Sequence, residues 1–107
     1  MYKNVDTKKQ LLLKDLVDYQ EHQVVSKTLV QNDMVSMTIF AFDKDEEISS
    51  HKSTGDAMVA VLEGTGRITI GEDTYTINAG ETIVMPKGIP HAVYGVEKFK
   101  MQLTVSF

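Results

Sequence analysis

Three histidines, His22, His51 and His91, carry most of the acid–base and ligating potential of this chain. An imidazole titrates near ~6.5, so it can take or give a proton at cellular pH, and its neutral nitrogen binds metals. His91 ends the run Gly80-Glu81-Thr82-Ile83-Val84-Met85-Pro86-Lys87-Gly88-Ile89-Pro90-His91, which holds both prolines of the chain. Proline fixes its own φ and steers the residue before it into an extended conformation. A turn glycine, a short strand and a stiff double-proline turn therefore deliver one imidazole to the start of a strand. That is a way to aim a side chain into a site. His22 lies in the polar run Gln20-Glu21-His22-Gln23 and is expected at the surface. No cysteine is present, which removes thiolate nucleophiles, disulfides and Cys-based zinc sites.

The elements that must position these groups are almost all strands. Residues 1–23 mix Lys8, Lys9, Lys14, Asp15 and Asp18 with Leu11, Leu12, Leu13, Leu16 and Val17, and predict an extension made of a short helical turn and an edge strand. From residue 24 to 107 the pattern is β. Val24 to Val30 and Met34 to Phe42 are rich in β-branched residues. Met58-Val59-Ala60-Val61-Leu62 is wholly apolar, as a strand covered on both faces would be. Arg67 to Ile70 and Thr74 to Ile77 alternate. In the last strand Phe99, Met101, Leu103, Val105 and Phe107 share one face. Lys98, Lys100, Gln102 and Thr104 share the other, which is either solvated or part of a subunit contact. Gly64, Gly66, Gly71, Gly80, Gly88 and Gly95 punctuate the strands at short intervals. Gly64-Thr65-Gly66 lacks the helix and glycine-lysine pair of a phosphate loop and is expected to form a hairpin turn. Short strands at this spacing indicate a sandwich, jelly roll or small barrel.

Bulk properties narrow the function classes. A chain of 107 residues with 42% apolar and 24% charged residues makes one globular domain. The net charge of −4 argues against nucleic acid, which needs a basic face. The longest early apolar cluster, Leu11 to Leu13, is far short of the ~20 residues of a membrane span and too short for a signal core. A cytoplasmic protein with no membrane partner is the expectation.

The spacing around His91 resembles the cupin superfamily. That family's second signature is a glycine, five residues, Pro-x-Gly, two residues and a histidine. Gly80, Pro86, Gly88 and His91 match it, while Gly95 stands where the family continues with asparagine. In the first signature His51 takes the place of the first histidine and Gly64 that of the closing glycine. Asp45 replaces the opening glycine, Ser53 the second histidine and Ala57 the glutamate, with Asp56 beside it. The resemblance spans roughly residues 24–107. It implies an all-β double-stranded β-helix (the cupin jelly roll) with a pocket inside the barrel, and a homodimer. The family's usual metal site uses three histidines and a glutamate, with Mn, Fe, Ni, Zn or Cu.

Under that resemblance His51 and His91 are expected to converge as a reduced metal site, with Ser53 and Asp56 as weak additional donors. Two imidazoles fall short of the three or four protein ligands of a stable centre, and Ala57 offers no lone pair. Any divalent transition metal (Zn, Ni, Mn, Fe or Cu) would be held weakly. Met58, Met85 and Met101 are placed near the pocket, as flexible core filling rather than thioether ligands of Cu(I). Catalysis without a metal would draw on His51 or His91 with Asp56. Three readings stay open: a small-molecule-binding protein with an internal pocket, a metal-dependent dioxygenase, decarboxylase or isomerase acting on a small acid or sugar, and a ligand sensor or dimeric interaction module. The fold alone does not decide among them.

Overall fold

The computed structural model describes residues 1–107. Apart from one turn of 3-10 helix at Leu13–Leu16, its regular structure is all strand. The strands are β1 (Val24–Gln31), β2 (Val35–Phe42), β3 (Glu47–His51), β4 (Asp56–Glu63), β5 (Thr65–Ile70), β6 (Asp73–Asn78), β7 (Thr82–Met85), β8 (His91–Gly95) and β9 (Phe99–Ser106). They form two antiparallel sheets, one in the order β1-β2-β9-β4-β7 and one in the order β3-β8-β5-β6. This is the jelly roll that the strand spacing and the histidine signature imply.

The two-residue side-chain period builds the interior. Phe99, Met101 and Val105 of β9, with Ala57, Val59 and Val61 of β4, turn inward from the larger sheet. They meet Ile68, Ile77 and Val93 of the smaller one. The rings of Phe42 and Phe99 stack at 4.5 Å between centroids. Burying that apolar surface is the main force closing the two sheets.

Residues 1–23 depart from expectation. Leu11 to Val17 forms no edge strand; the chain makes only the 3-10 turn there. It runs instead as a strap across the outer face of the larger sheet. Val17 seals a second apolar cluster with Leu29, Ile39 and Ala41, and Leu13, Leu16 and Tyr19 pack around it. The Lys3 amide donates to the Leu29 carbonyl at 2.8 Å, and the Asn4 side chain to the Thr28 carbonyl at 2.8 Å. The strap thus closes part of the β1 edge.

Lys100 was expected on a solvated or subunit-facing surface, yet it is buried, with 7% of its surface exposed. The strap covers it, and its Nζ donates to the Lys14 carbonyl at 2.7 Å. The Gly64–Gly66 segment is not a hairpin either, because it carries the chain from β4 in one sheet to β5 in the other. β4 itself is covered on its inner face but only partly on its outer one. Leu62 packs under the strap, whereas Met58 stays 47% exposed.

Candidate functional site

β3 and β8 are neighbours in the smaller sheet, and each carries one of the histidines at its end. Ile48 pairs with Val93, and both contribute to the interior. Strict alternation from Ile48 would turn His51 to the other face, since the two are an odd number of residues apart. The register shifts between Ile48 and His51, and His51 comes to lie opposite His91. A bulge of this kind re-aims the side chain beyond it.

His91 shares the inward parity of Val93 and is 3% exposed. Its approach is set by the turn the prolines announce. The Pro86 carbonyl accepts from the Ile89 amide at 3.4 Å, and Gly88 takes φ +75°, the left-handed region that favours glycine. The Gly88 amide then donates to the Ser53 carbonyl at 2.9 Å, tying the β7–β8 turn to the β3–β4 loop. Gly95, which stands where the family has asparagine, has its amide on the Glu46 carbonyl, and a Cβ there would lie 2.8 Å from the Asp43 carbonyl oxygen. The local backbone leaves no room for the family's side chain.

The two imidazoles stand edge to face with their centroids 4.4 Å apart. His51 is exposed and His91 buried, so the pair sits at the rim of the barrel with one ring inside and one outside. Each ring turns Nδ1 toward a backbone carbonyl two residues earlier: His51 toward Ser49 at 3.0 Å, and His91 toward Ile89 at 3.3 Å. A carbonyl oxygen only accepts, so in the neutral ring Nδ1 carries the hydrogen and Nε2 keeps its lone pair. Both rings thereby keep Nε2 as the acceptor, His51 at the surface and His91 inside. Burial pushes the His91 pKa down, and the neighbouring His51 acts in the same direction; the Ile89 carbonyl opposes them. His91 therefore favours its neutral, lone-pair-bearing form.

The remaining expected donors do not join this pair. Asp56 is exposed at the start of β4, and its Oδ1 accepts from the Lys87 amide at 2.9 Å, which ties it to the turn. Ser53 Oγ accepts from the Gly55 amide at 3.2 Å within its own loop. Ala57, at the family's glutamate position, is buried in the core. No group of three or more His, Cys, Asp or Glu side chains gathers anywhere in the molecule. The donor set does not fit a resident metal with a full protein ligand shell.

Of the three methionines placed near the pocket, Met58 points away from the interior, half-exposed on the outer face. Met85 and Met101 lie in the packed core. The space between the sheets is occupied by that core rather than by an open chamber, and none of the four cavities is lined by a methionine of this trio. His22 is at the surface, as its polar neighbours imply. Arg67 is also exposed and lies over the Tyr94 ring at 4.5 Å.

An open groove of about 500 Å³ lies between the two loops that carry the histidines and is lined by Lys52, Ser53, Thr54, Lys87 and Gly88. Lys52, Thr54 and Lys87 are not among the residues that the sequence pattern marks as functional. The available signal was position: Lys52 follows His51 directly, and Lys87 lies between Pro86 and Gly88.

Comparison with known proteins follows the same lines. A profile of the cupin domain family matches residues 38–107. A conserved protein of unknown function from Streptococcus pyogenes superposes with a TM-score of 0.96 at 47% identity, covering 98% of this chain and 92% of that one. A cupin superfamily protein from Desulfitobacterium hafniense superposes with a TM-score of 0.96 at 28% identity, covering 100% and 98% of the two chains. A cupin 2 conserved barrel domain protein from Leptotrichia buccalis is 42% identical with a TM-score of 0.87, covering 89% of this chain and 46% of that one. No curated protein matches the chain.

Proposed function

Because the chain belongs to the cupin superfamily, we propose that it binds a small molecule at the barrel rim, with His51 and His91 as the recognition groups. The observation that carries this reading is the histidine pair: two adjacent imidazoles, each with Nδ1 against a backbone carbonyl, which in the neutral ring leaves Nε2 as the acceptor. Two unshared acceptors this close favour a ligand that brings hydrogen-bond donors, such as a hydroxyl or amino group. A divalent transition metal would find two protein ligands there and would have to complete its shell with water or ligand atoms, which gives weak and unselective binding. The enzyme reading has less support, because Asp56 is committed to the Lys87 amide. As partners we infer the small ligand and a second copy of the chain.

The test is ligand-induced thermal stabilisation across a panel of small hydroxy acids, amino acids and sugars. A binder at a hundred times its Kd stabilises the fold by about 2.7 kcal/mol. We expect such a shift for a compound bearing a donor group, and its loss in His51→Ala and His91→Gln. A shift that survives both substitutions moves the site elsewhere. The same titration with Zn²⁺ or Ni²⁺ alone should give a small shift that either substitution abolishes.

A further inference from the structure

The cavity beside the histidines has a chemistry of its own. Two lysines, two hydroxyl residues and Gly88 line it, and carbon rather than polar atoms makes up most of the surface they present. In a chain of net charge −4 this is a local reversal of sign. Neither lysine is in an ion pair; the three ion pairs of the molecule involve Lys9, Lys14 and His22. The acidic group bonded to these loops, Asp56, accepts from the Lys87 amide and keeps its negative charge, so the two lysines exceed it by one. The Gly88-to-Ser53 hydrogen bond at 2.9 Å joins the two loops, and the Ser53 hydroxyl accepts from Gly55. The groove's volume of about 500 Å³ lies within the ordinary range for small-ligand sites. A concave surface lined by one sign of charge concentrates ligands of the other sign.

We propose that Lys52 and Lys87, with the Ser53 and Thr54 hydroxyls, form an anion subsite that takes the carboxylate or phosphate of the ligand. The inference rests on the histidine pair being the ligand-facing end of the barrel. The loop Lys52–Thr54 leaves His51, and the turn Pro86–Pro90 leads into His91, so the subsite adjoins the imidazoles along the chain, while neither ring lines the groove itself. The two together select a compact anion that also bears a hydrogen-bond donor: the lysines hold its charged group and the Nε2 atoms accept from its hydroxyl. A hydroxy acid or a phosphorylated polyol has this chemistry.

Calorimetric and NMR titrations with malate, succinate, inorganic phosphate and the neutral succinamide test it. Malate should bind most tightly, and succinate or phosphate should bind measurably and perturb the amides of Lys52, Thr54, Lys87 and Gly88. Succinamide should not bind. The double variant Lys52→Gln, Lys87→Gln should weaken malate and succinate about tenfold or more, and Lys52→Arg, Lys87→Arg should retain binding. Raising ionic strength from about 0.01 to about 0.15 M should weaken both anions, since exposed charges are screened over about 8 Å at the higher salt. The relative response to carboxylate and phosphate identifies which anion the site prefers. Succinamide binding as well as succinate, or the glutamine double variant binding undiminished, overturns the anion subsite whatever the histidines do. Malate binding no better than succinate, with lysine dependence intact, leaves the subsite standing and removes the histidine reading instead.

Discussion

His91 differs from His51 in burial, and burial sets its chemistry. An imidazolium at 3% exposure would lose most of its hydration, so the fold holds this ring below its ordinary value of 6.5. The consequence for stability has a definite sign. With a folded pKa below the unfolded one, the unfolded chain binds more protons in the window between them, so stability rises with pH there. Above the unfolded value of about 6.5 both states are neutral at this residue and its contribution is flat. Lowering the pH through that value should therefore reduce the urea midpoint of the wild type. His91→Gln should remove that part of the slope while leaving the carboxylate-driven loss at lower pH. Parallel pH profiles for the two proteins would show that His91 is not the group responsible. The same preference for the neutral ring keeps Nε2 available as an acceptor, so ligand recognition and acid sensitivity share one cause.

At the scale of elements, the strap of residues 1–23 is attached to the barrel through a small polar cluster as well as through Val17. The buried Lys100 Nζ donates to the Lys14 carbonyl at 2.7 Å and lies 4.9 Å from the centre of the Tyr19 ring. Tyr19 in turn donates to Glu63 at 2.6 Å, which lowers the Glu63 pKa and raises that of Tyr19, with burial as the larger cause for Tyr19. Removing a charged hydrogen-bond donor while leaving its acceptor in place costs about 1.5–3 kcal/mol. Lys100→Met keeps the apolar stem and should lower stability by about that amount, with faster proteolysis within residues 1–23 than elsewhere. An unchanged cleavage rate in the strap would show that Val17 and its apolar neighbours hold it alone. Lys100 also marks where strand patterning stops being informative. The alternation of β9 announces its two faces correctly, but only the path of a distant segment decides whether the polar face meets water. The core face of β9 and the proline-framed arrival of His91 were legible because each rests on local geometry. β3, Glu-Ile-Ser-Ser-His, was not, since its single apolar residue gives no period and its bulge depends on pairing with β8. Asp56 shows the same limit: its hydrogen bond is to an amide that only the folded turn supplies.

At the scale of the whole molecule, the question is which surface a second copy would use. The β1 edge is not free for it, because Lys3 and Asn4 of the same chain already occupy carbonyls of β1. What remains open is the outer face of the larger sheet beyond the strap. There Met58 sits directly between Val84 of β7 and Thr104 of β9, and Ala60 between Thr82 and Gln102. Met58 is 47% and Val84 48% exposed, and these six positions carry no charge. Two copies that each bear −4 repel least where they meet through an uncharged patch, and burying the methionine and valine supplies the attraction. The expected outcome is a dimer at micromolar concentration in light scattering, converted to monomer by Met58→Lys. Since Met58 lies outside the core, that variant should keep its circular dichroism spectrum and its unfolding cooperativity. Its unfolding should also lose the concentration dependence of a dimer. A wild type that scatters as a monomer, or a Met58→Lys protein that remains a dimer, rules this face out. The barrel rim with His51 and His91 belongs to the other sheet, so a dimer built this way leaves both ligand sites facing outward, and ligand affinity should be the same in the monomeric variant.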